Sequence, residues 1–142
     1  MRVMALDVGD VRIGVAVSDP LGLTAQPLPT ITRTKLAVDL AAIHALVQQQ
    51  AVWTLVVGLP LTLRGERGPQ ANKVAGFADA LRRHVQVPVT FVDERLTTVE
   101  GERALQAGGL SARKRRGAID QVAAQLILQQ YLETERQRQA PS

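Results

Sequence analysis

The sequence contains no cysteine, which excludes disulfide bonds and thiolate-bound metal sites. Only 3% of its residues are aromatic, which argues against a single-strand binder that stacks bases on exposed rings. No apolar run approaches the roughly 18 residues that a membrane-spanning helix needs, and no basic segment leads into an apolar one as in a signal peptide. We therefore expect a cytoplasmic protein with no membrane partner.

Length and charge narrow the possible classes further. The 142 residues suffice for about one domain, and a hydrophobic fraction of 46% is ordinary for a globular chain. The formal net charge of +4 suits an anionic partner, of which nucleic acid is the commonest. Many small proteins carry such a charge without any such partner, so charge alone does not decide the matter.

The hydrophobic pattern predicts strands that alternate with helices. We expect strands over residues 2–8, 12–18, 26–32, 52–57 and 87–92, and helices over residues 35–50, 70–84, 97–107 and 118–134. Consecutive strands at the start indicate antiparallel pairing, and the later strand–helix–strand units indicate parallel pairing. The sequence thus predicts an α/β fold, a mixed sheet with helices on both faces.

Connections and ends follow from turn residues and caps. Thr34 is expected to cap the first helix, and Gly58 to end the fourth strand. Residues 61–69 are expected to form a mobile loop, and residues 111–117 a basic loop. We place a single domain over residues 1–134 and a frayed tail over residues 135–142.

Acidic residues interrupt three otherwise apolar segments. Asp7 ends the first strand, Asp93 and Glu94 end the last, and Asp120 lies in the first turn of the final helix. A buried carboxylate costs several kcal/mol unless it is paired or binds a metal. Each position has an ordinary alternative: a turn residue at the first, a surface ion pair with Arg95 at the second, and a helix-dipole carboxylate at the third.

Taken together, these acids describe a metal site built from oxygen ligands. Such sites suit Mg²⁺ or Mn²⁺, and two ions about 4 Å apart serve phosphodiester cleavage. His44 and His84 do not fall near the acidic positions, so we expect both to be structural or solvated.

A cluster of positive charge immediately precedes the helix that carries Asp120. It consists of Arg113, Lys114, Arg115 and Arg116. Such runs are often only solvated, but this one would bring positive charge beside the acids, where a phosphate backbone needs it.

Four segments, in this order, carry a recognisable pattern. They are residues 5–9 (ALDVG) with 12–19 (RIGVAVSD), residues 57–60 (VGLP) with Gly65, residues 93–98 (DERLTT), and residues 119–124 (IDQVAA) with 127–128 and 131–132. Together they resemble the YqgF family, also called RuvX. Its members are relatives of the RuvC Holliday junction resolvases within the ribonuclease H-like superfamily.

The resemblance implies a ribonuclease H-like fold with a five-stranded mixed sheet and a carboxylate metal site. By motif position, Asp7, Glu94 and Asp120 would be the catalytic acids and would hold two Mg²⁺ or Mn²⁺ ions, with Asp7 bridging them. Asp93 is a possible further ligand. Because neighbouring strand residues point to opposite faces, we expect only one of Asp93 and Glu94 to bind metal.

The resemblance also implies a metal-dependent nuclease, a hydrolase of phosphodiester bonds in structured nucleic acid. The family is described as processing the 5′ end of precursor 16S rRNA in ribosome biogenesis, and also as a Holliday junction resolvase of DNA. We assign nucleic-acid contacts to Arg12, Arg95 and the cluster over residues 113–116. Junction cleavage would call for a two-fold homodimer, for which no sequence feature identifies a face.

Two other classes compete with this prediction. An Asp-x-Gly turn between strands also cradles phosphates in actin-like ATPases and sugar kinases, but those folds need a second lobe for which 142 residues leave no room. A non-catalytic ribosome-assembly or nucleic-acid-binding factor stays open. Metal-dependent cleavage by the pure protein would discriminate it from the nuclease.

Overall fold

The computed structural model describes residues 1–95 and 112–139, and in the second range it describes side chains from residue 121 onward. The helix predicted over residues 97–107 lies outside these residues. The described chain forms, in order, β1 Arg2–Val8, β2 Arg12–Ser18, β3 Ala25–Thr32, α1 Leu36–Gln49, β4 Val52–Leu59, α2 Pro69–His84, β5 Val89–Asp93 and α3 Ala112–Gln139. No described helix is both long and apolar enough to cross a membrane.

The five strands form one mixed sheet in the order β3–β2–β1–β4–β5. β1, β2 and β3 pair antiparallel through short connections. β4 runs parallel to both β1 and β5, because a helix carries the chain back between successive parallel strands. The predicted mixed sheet is confirmed, and β1 lies at its centre.

Helices cover both faces of the sheet, as predicted. On one face α1 and α2 pack on alternate residues of β1, Met4, Leu6 and Val8. On the other face α3 packs on Ala5 and its neighbours through Ala124, Ile127, Leu128 and Leu132. The small side chains of Ala5 and Ala124 let α3 approach the sheet closely.

The start of α1 differs from the prediction. Lys35, not Thr34, is the N-cap residue, and no side chain caps the helix from that position. Instead, the backbone N–H of Thr34 donates to Oδ1 of Asp39 at 3.0 Å. Asp39 therefore reaches back from inside the helix, a contact that a cap rule based on the first residue does not anticipate.

The predicted basic loop is wrong, because α3 begins at Ala112 and its backbone includes residues 113–117. Arginine, lysine and alanine are good helix formers, and one internal glycine costs only about 1 kcal/mol. At its other end α3 continues through Gln139, into the segment expected to fray. Ion pairs between Arg136 and Glu133 and between Arg138 and Glu135 support this last part.

Candidate active site

Asp7 and Glu94 lie on either side of Gly58 at one edge of the sheet. Leu6 of β1 pairs with Val57 of β4, and Gly58 pairs with Val92 of β5. Because these strands are parallel, their carboxyl ends meet at the same edge, the usual place for a site in such sheets. Two acids that are distant in sequence thus become neighbours across one glycine.

Both carboxyl groups project to the face that α3 covers. Asp7 alternates with Leu6 and shares the side of Ala5, which packs against α3. The backbone N–H of Glu94 donates to the carbonyl of Leu59 at 3.1 Å, so the strand-like path continues past β5. This directs Glu94 to the side of Val92, another contact of the α3 cluster.

The two carboxyl groups interact directly. Burial raises the pKa of Glu94, and a side-chain hydrogen bond with Asp7 and the charge of Asp7 raise it further, to about 9. A like charge at short range disfavours ionisation, so a proton or a cation must accompany such a pair. The geometry therefore creates a demand for positive charge between Asp7 and Glu94.

Gly58 makes room for Glu94 beneath α3. A Cβ at this position would lie 3.1 Å from Oε2 of Glu94 and would collide with the side chain of Ile127. The sequence pattern predicts Gly58 only as a strand stop and a motif member. A glycine inside a strand can also indicate that another group approaches the backbone closely, so the sequence alone contains a sign of this role for Gly58.

Asp93 has a different partner from Glu94. Its carboxylate accepts hydrogen bonds from Nε of Arg95 at 2.9–3.0 Å, and this contact lowers the pKa of Asp93. The ion pair is the ordinary alternative that the sequence left open for Asp93. The structure brings Glu94 to Asp7 and pairs Asp93 with Arg95.

Arg95 also reaches the loop between β4 and α2. Its Nη1 lies 3.4 Å from the carbonyl of Leu63, and a Cβ on Gly65 would lie 3.2 Å from this Nη1. Gly65 has φ of +81° and donates from its N–H to Thr62 at 2.8 Å. This loop, which the sequence predicts to be mobile, folds on itself and contacts Arg95.

The turn between β1 and β2 carries Arg12, an expected nucleic-acid contact, to the same edge. The N–H of Gly9 donates to the carbonyl of Arg12 at 2.9 Å, and a Cβ on Gly9 would lie 2.9 Å from that oxygen. Only glycine tolerates so close an approach. Arg12 is half-buried and Asp10 is exposed, with an ion pair to Lys73 at 3.6 Å.

Asp120 lies on α3, four residues before Ala124, and residues at that spacing share a helix face. Its side chain, and those of the basic cluster over residues 113–116, fall outside the described residues. Within the described part of the chain, no group of three acidic or histidine side chains could hold a metal ion. His44 contacts Gln48 within α1, and His84 ends α2.

Comparison with known families and proteins gives a consistent result. A family model described as RuvX, Holliday junction resolvase, matches residues 1–134. A protein of Moorella thermoacetica is 57% identical over 133 residues, covering 94% of this chain and 95% of that protein. One from Roseiflexus sp. is 50% identical over 135 residues, covering 95% and 96%. Both are named "Putative pre-16S rRNA nuclease".

Solved structures with the same fold are more distant in sequence. Thermus thermophilus RuvC in complex with a Holliday junction substrate has a TM-score of 0.62 at 17% identity, covering 95% of this chain and 96% of that one. Fowlpox virus resolvase with Holliday junction DNA has a TM-score of 0.55 at 10% identity, covering 95% and 99%. The predicted ribonuclease H-like fold is confirmed.

Proposed function

This chain belongs to the RuvX family of nucleases, hydrolases of phosphodiester bonds, and from that premise we propose that it is a metal-dependent endonuclease acting at Asp7 and Glu94. The observation that carries the proposal is the direct contact between these two carboxyl groups at the carboxyl ends of β1 and β5. Two carboxyl groups that meet at the carboxyl ends of parallel strands can share a cation.

The side chains fit a divalent cation of the hard, oxygen-binding kind. Asp7 and Glu94 offer carboxylate oxygens, the ligands that Mg²⁺ and Mn²⁺ prefer. Asp120 is the third acid that we assign to the site, and Asp93 is left out because Arg95 holds it. When bound, such ions lower the pKa of a coordinated water and stabilise charge on phosphate oxygens.

The rest of the site would support these acids. A Cβ on Gly58 would meet both Ile127 and Glu94, so α3 packs beside the Glu94 side chain. Arg12 and the basic cluster over residues 113–116 would bind the phosphate backbone. Because such contacts release counterions, binding should weaken as salt rises.

The substrate that we propose first is the 5′ end of precursor 16S rRNA. Relatives with 57% and 50% identity over nearly the whole chain carry a name that refers to this RNA. A four-way DNA junction is the second candidate, favoured by the description of the matching family model. Junction cleavage would in addition require a dimer that presents two acid sites to paired strands.

The decisive experiment compares wild type, Asp7→Asn and Asp10→Asn on both substrates, with Mg²⁺ or Mn²⁺ and with EDTA. We expect Asp7→Asn to reduce cleavage by more than about 100-fold. Loss of a residue that only supports a metal ligand reduces activity by at most about that factor, so a larger loss indicates a direct ligand. Asp10→Asn is the matched control, because Asp10 lies on the turn that follows Asp7 but is exposed and pairs only with Lys73 among the described residues.

The outcomes separate the candidates. Undiminished cleavage by Asp7→Asn would overturn the assignment of the site. If the pure wild-type protein cleaves neither substrate, with or without added metal, the non-catalytic factor is favoured instead. Cleavage of one substrate alone identifies the primary role.

A further inference from the structure

A partly buried ion pair between Arg33 and Asp39 lies apart from the acid site. Asp39 is 1% exposed, and its Oδ2 accepts from Nε of Arg33 at 3.3 Å. Its other oxygen accepts from the N–H and hydroxyl of Thr34 at 3.0 and 3.4 Å. Contacts with Thr34, just before α1, therefore account for one oxygen only, and the second oxygen holds Arg33.

Arg33 connects Asp39 to the turn that follows Asp7. Its Nη1 donates to the carbonyl of Gly9 at 3.0 Å, and its backbone N–H donates to the carbonyl of Val11 at 2.8 Å. The guanidinium also lies 5.0 Å from the centre of the Phe77 ring on α2. One side chain thus ties α1, α2 and the β1–β2 turn together.

The turn controls the end of β1. The ladder between β1 and β2 ends with the pair Val8–Ile13, one residue beyond Asp7. Past that pair the backbone is held by the bond from Gly9 to Arg12 and by the two contacts of Arg33. A change in the turn would therefore be transmitted to Asp7 with little backbone between them to absorb it.

We propose that Arg33, held by Asp39, is a positioning residue that fixes the β1–β2 turn and so sets the Asp7 carboxyl at the place where it meets Glu94. The inference rests on the proposed metal site at these two acids. Arg33 would act on Asp7 through the turn, without contacting the metal itself. We expect the protein to bind metal more tightly because Arg33 is present.

Arg82 provides a matched control elsewhere in the molecule. It makes the same three kinds of contact: an ion pair with Asp79 at 2.8 Å, a bond to the carbonyl of Val89 at 3.1 Å, and a position 5.2 Å from the Phe91 ring. These contacts lie at the end of α2 and the beginning of β5, whereas the acid pair lies at the other ends of the strands.

The test measures Mn²⁺ binding directly, by titration calorimetry or by the electron paramagnetic resonance of free Mn²⁺, on wild type, Arg33→Met, Arg33→Lys and Arg82→Met. Thermal unfolding in EDTA is recorded for each. We expect Arg33→Met to weaken Mn²⁺ binding about tenfold, in the range for removing support of a metal ligand. Arg33→Lys keeps a charge for Asp39 and should recover part of the loss, whereas Arg82→Met should leave Mn²⁺ binding unchanged.

A purely structural role predicts a different pattern. If Arg33→Met lowers the unfolding temperature but binds Mn²⁺ as wild type does, the positioning role is overturned. If Arg33→Met does not fold, Asp39→Asn keeps the shape and the acceptor for Thr34, and its Mn²⁺ affinity should fall in the same direction; an unchanged affinity would again overturn the role.

Failure of the metal site itself is recognised separately. Equal Mn²⁺ binding by wild type and Asp7→Asn would remove the site and the positioning role together. Loss of binding in Asp7→Asn with no change in Arg33→Met would leave the proposed function standing and remove only the inference about Arg33.

Discussion

Asp39 is buried and Glu94 is partly buried, and the fold places a different neighbour against each carboxyl group. Asp39 faces donors, the guanidinium of Arg33 and the N–H and hydroxyl of Thr34. Glu94 contacts another acid, Asp7, and burial together with this contact raises the pKa of Glu94. The first arrangement stabilises the fold, whereas the second leaves the metal-free fold with a cost that a bound cation would relieve. We therefore expect these surroundings to distinguish the structural role of Asp39 from the catalytic role that we propose for Glu94.

The largest expected effect that tests this comparison is on catalysis by Glu94→Gln. The amide keeps the shape of the side chain but removes the charge that a cation needs, so cleavage should fall by more than about 100-fold, beyond the range of outer partners. Glu66→Gln is the control, because Glu66 is an exposed acid in the nearby loop. Cleavage is measured for both at saturating metal; a Glu94→Gln variant as active as Glu66→Gln would contradict the assignment.

The same variant tests the pH dependence of stability. Because the folded-state pKa of Glu94 is raised from 4.5 to about 9, the native protein binds more protons than the unfolded chain between these values. The stability contribution is therefore fully present below pH 4.5 and is lost as pH rises through about 9. Urea unfolding in EDTA at pH 5, 7 and 9 should show this decline in wild type. A decline of equal size in Glu94→Gln would assign it to other groups.

An intermediate effect is expected from Gly58→Ala. The added methyl would meet the side chain of Ile127 and approach Glu94, and overpacking of this kind costs about 1–3 kcal/mol. Gly76→Ala is the control, since nothing lies within 4 Å of its Cβ position in α2. Combining Gly58→Ala with Ile127→Val, which lacks the terminal methyl, should restore part of the free energy of unfolding. A Gly58→Ala variant as stable as wild type would show that α3 yields at this contact.

The smallest expected effect is that of Asp93→Asn. The ion pair between Asp93 and Arg95 is partly exposed, and such pairs contribute at most about 1 kcal/mol. Chemical denaturation should show a change within this range, and cleavage should stay close to that of wild type. A loss of cleavage as large as that of Glu94→Gln would mean that Asp93 is also a ligand. It would contradict the expectation that the pairing of Asp93 with Arg95 keeps Asp93 out of the metal site.

Most of the elements were predictable because they follow from local periodicity. Short apolar runs bounded by turn residues located β1 and β2, and helical spacing located α1 and α2 within one or two residues. The errors came where a glycine suggested a break that the structure does not have. Gly58 continues β4, where a Cβ would collide with the side chain of Ile127, and the basic segment is helical because arginine and lysine are good helix formers, although a glycine follows it.

The sequence by itself determined the family, the mixed sheet, and the presence of acids at the ends of β1 and β5, since motifs and periodicity are properties of the chain. It also predicted that Asp93 and Glu94 point apart. Only the tertiary structure decided that Glu94 meets Asp7 while Arg95 takes Asp93, and that Arg33 ties the turn after Asp7 to Asp39. The physical reason is that these contacts depend on the register of β4 with its neighbours and on the packing of helices against the sheet.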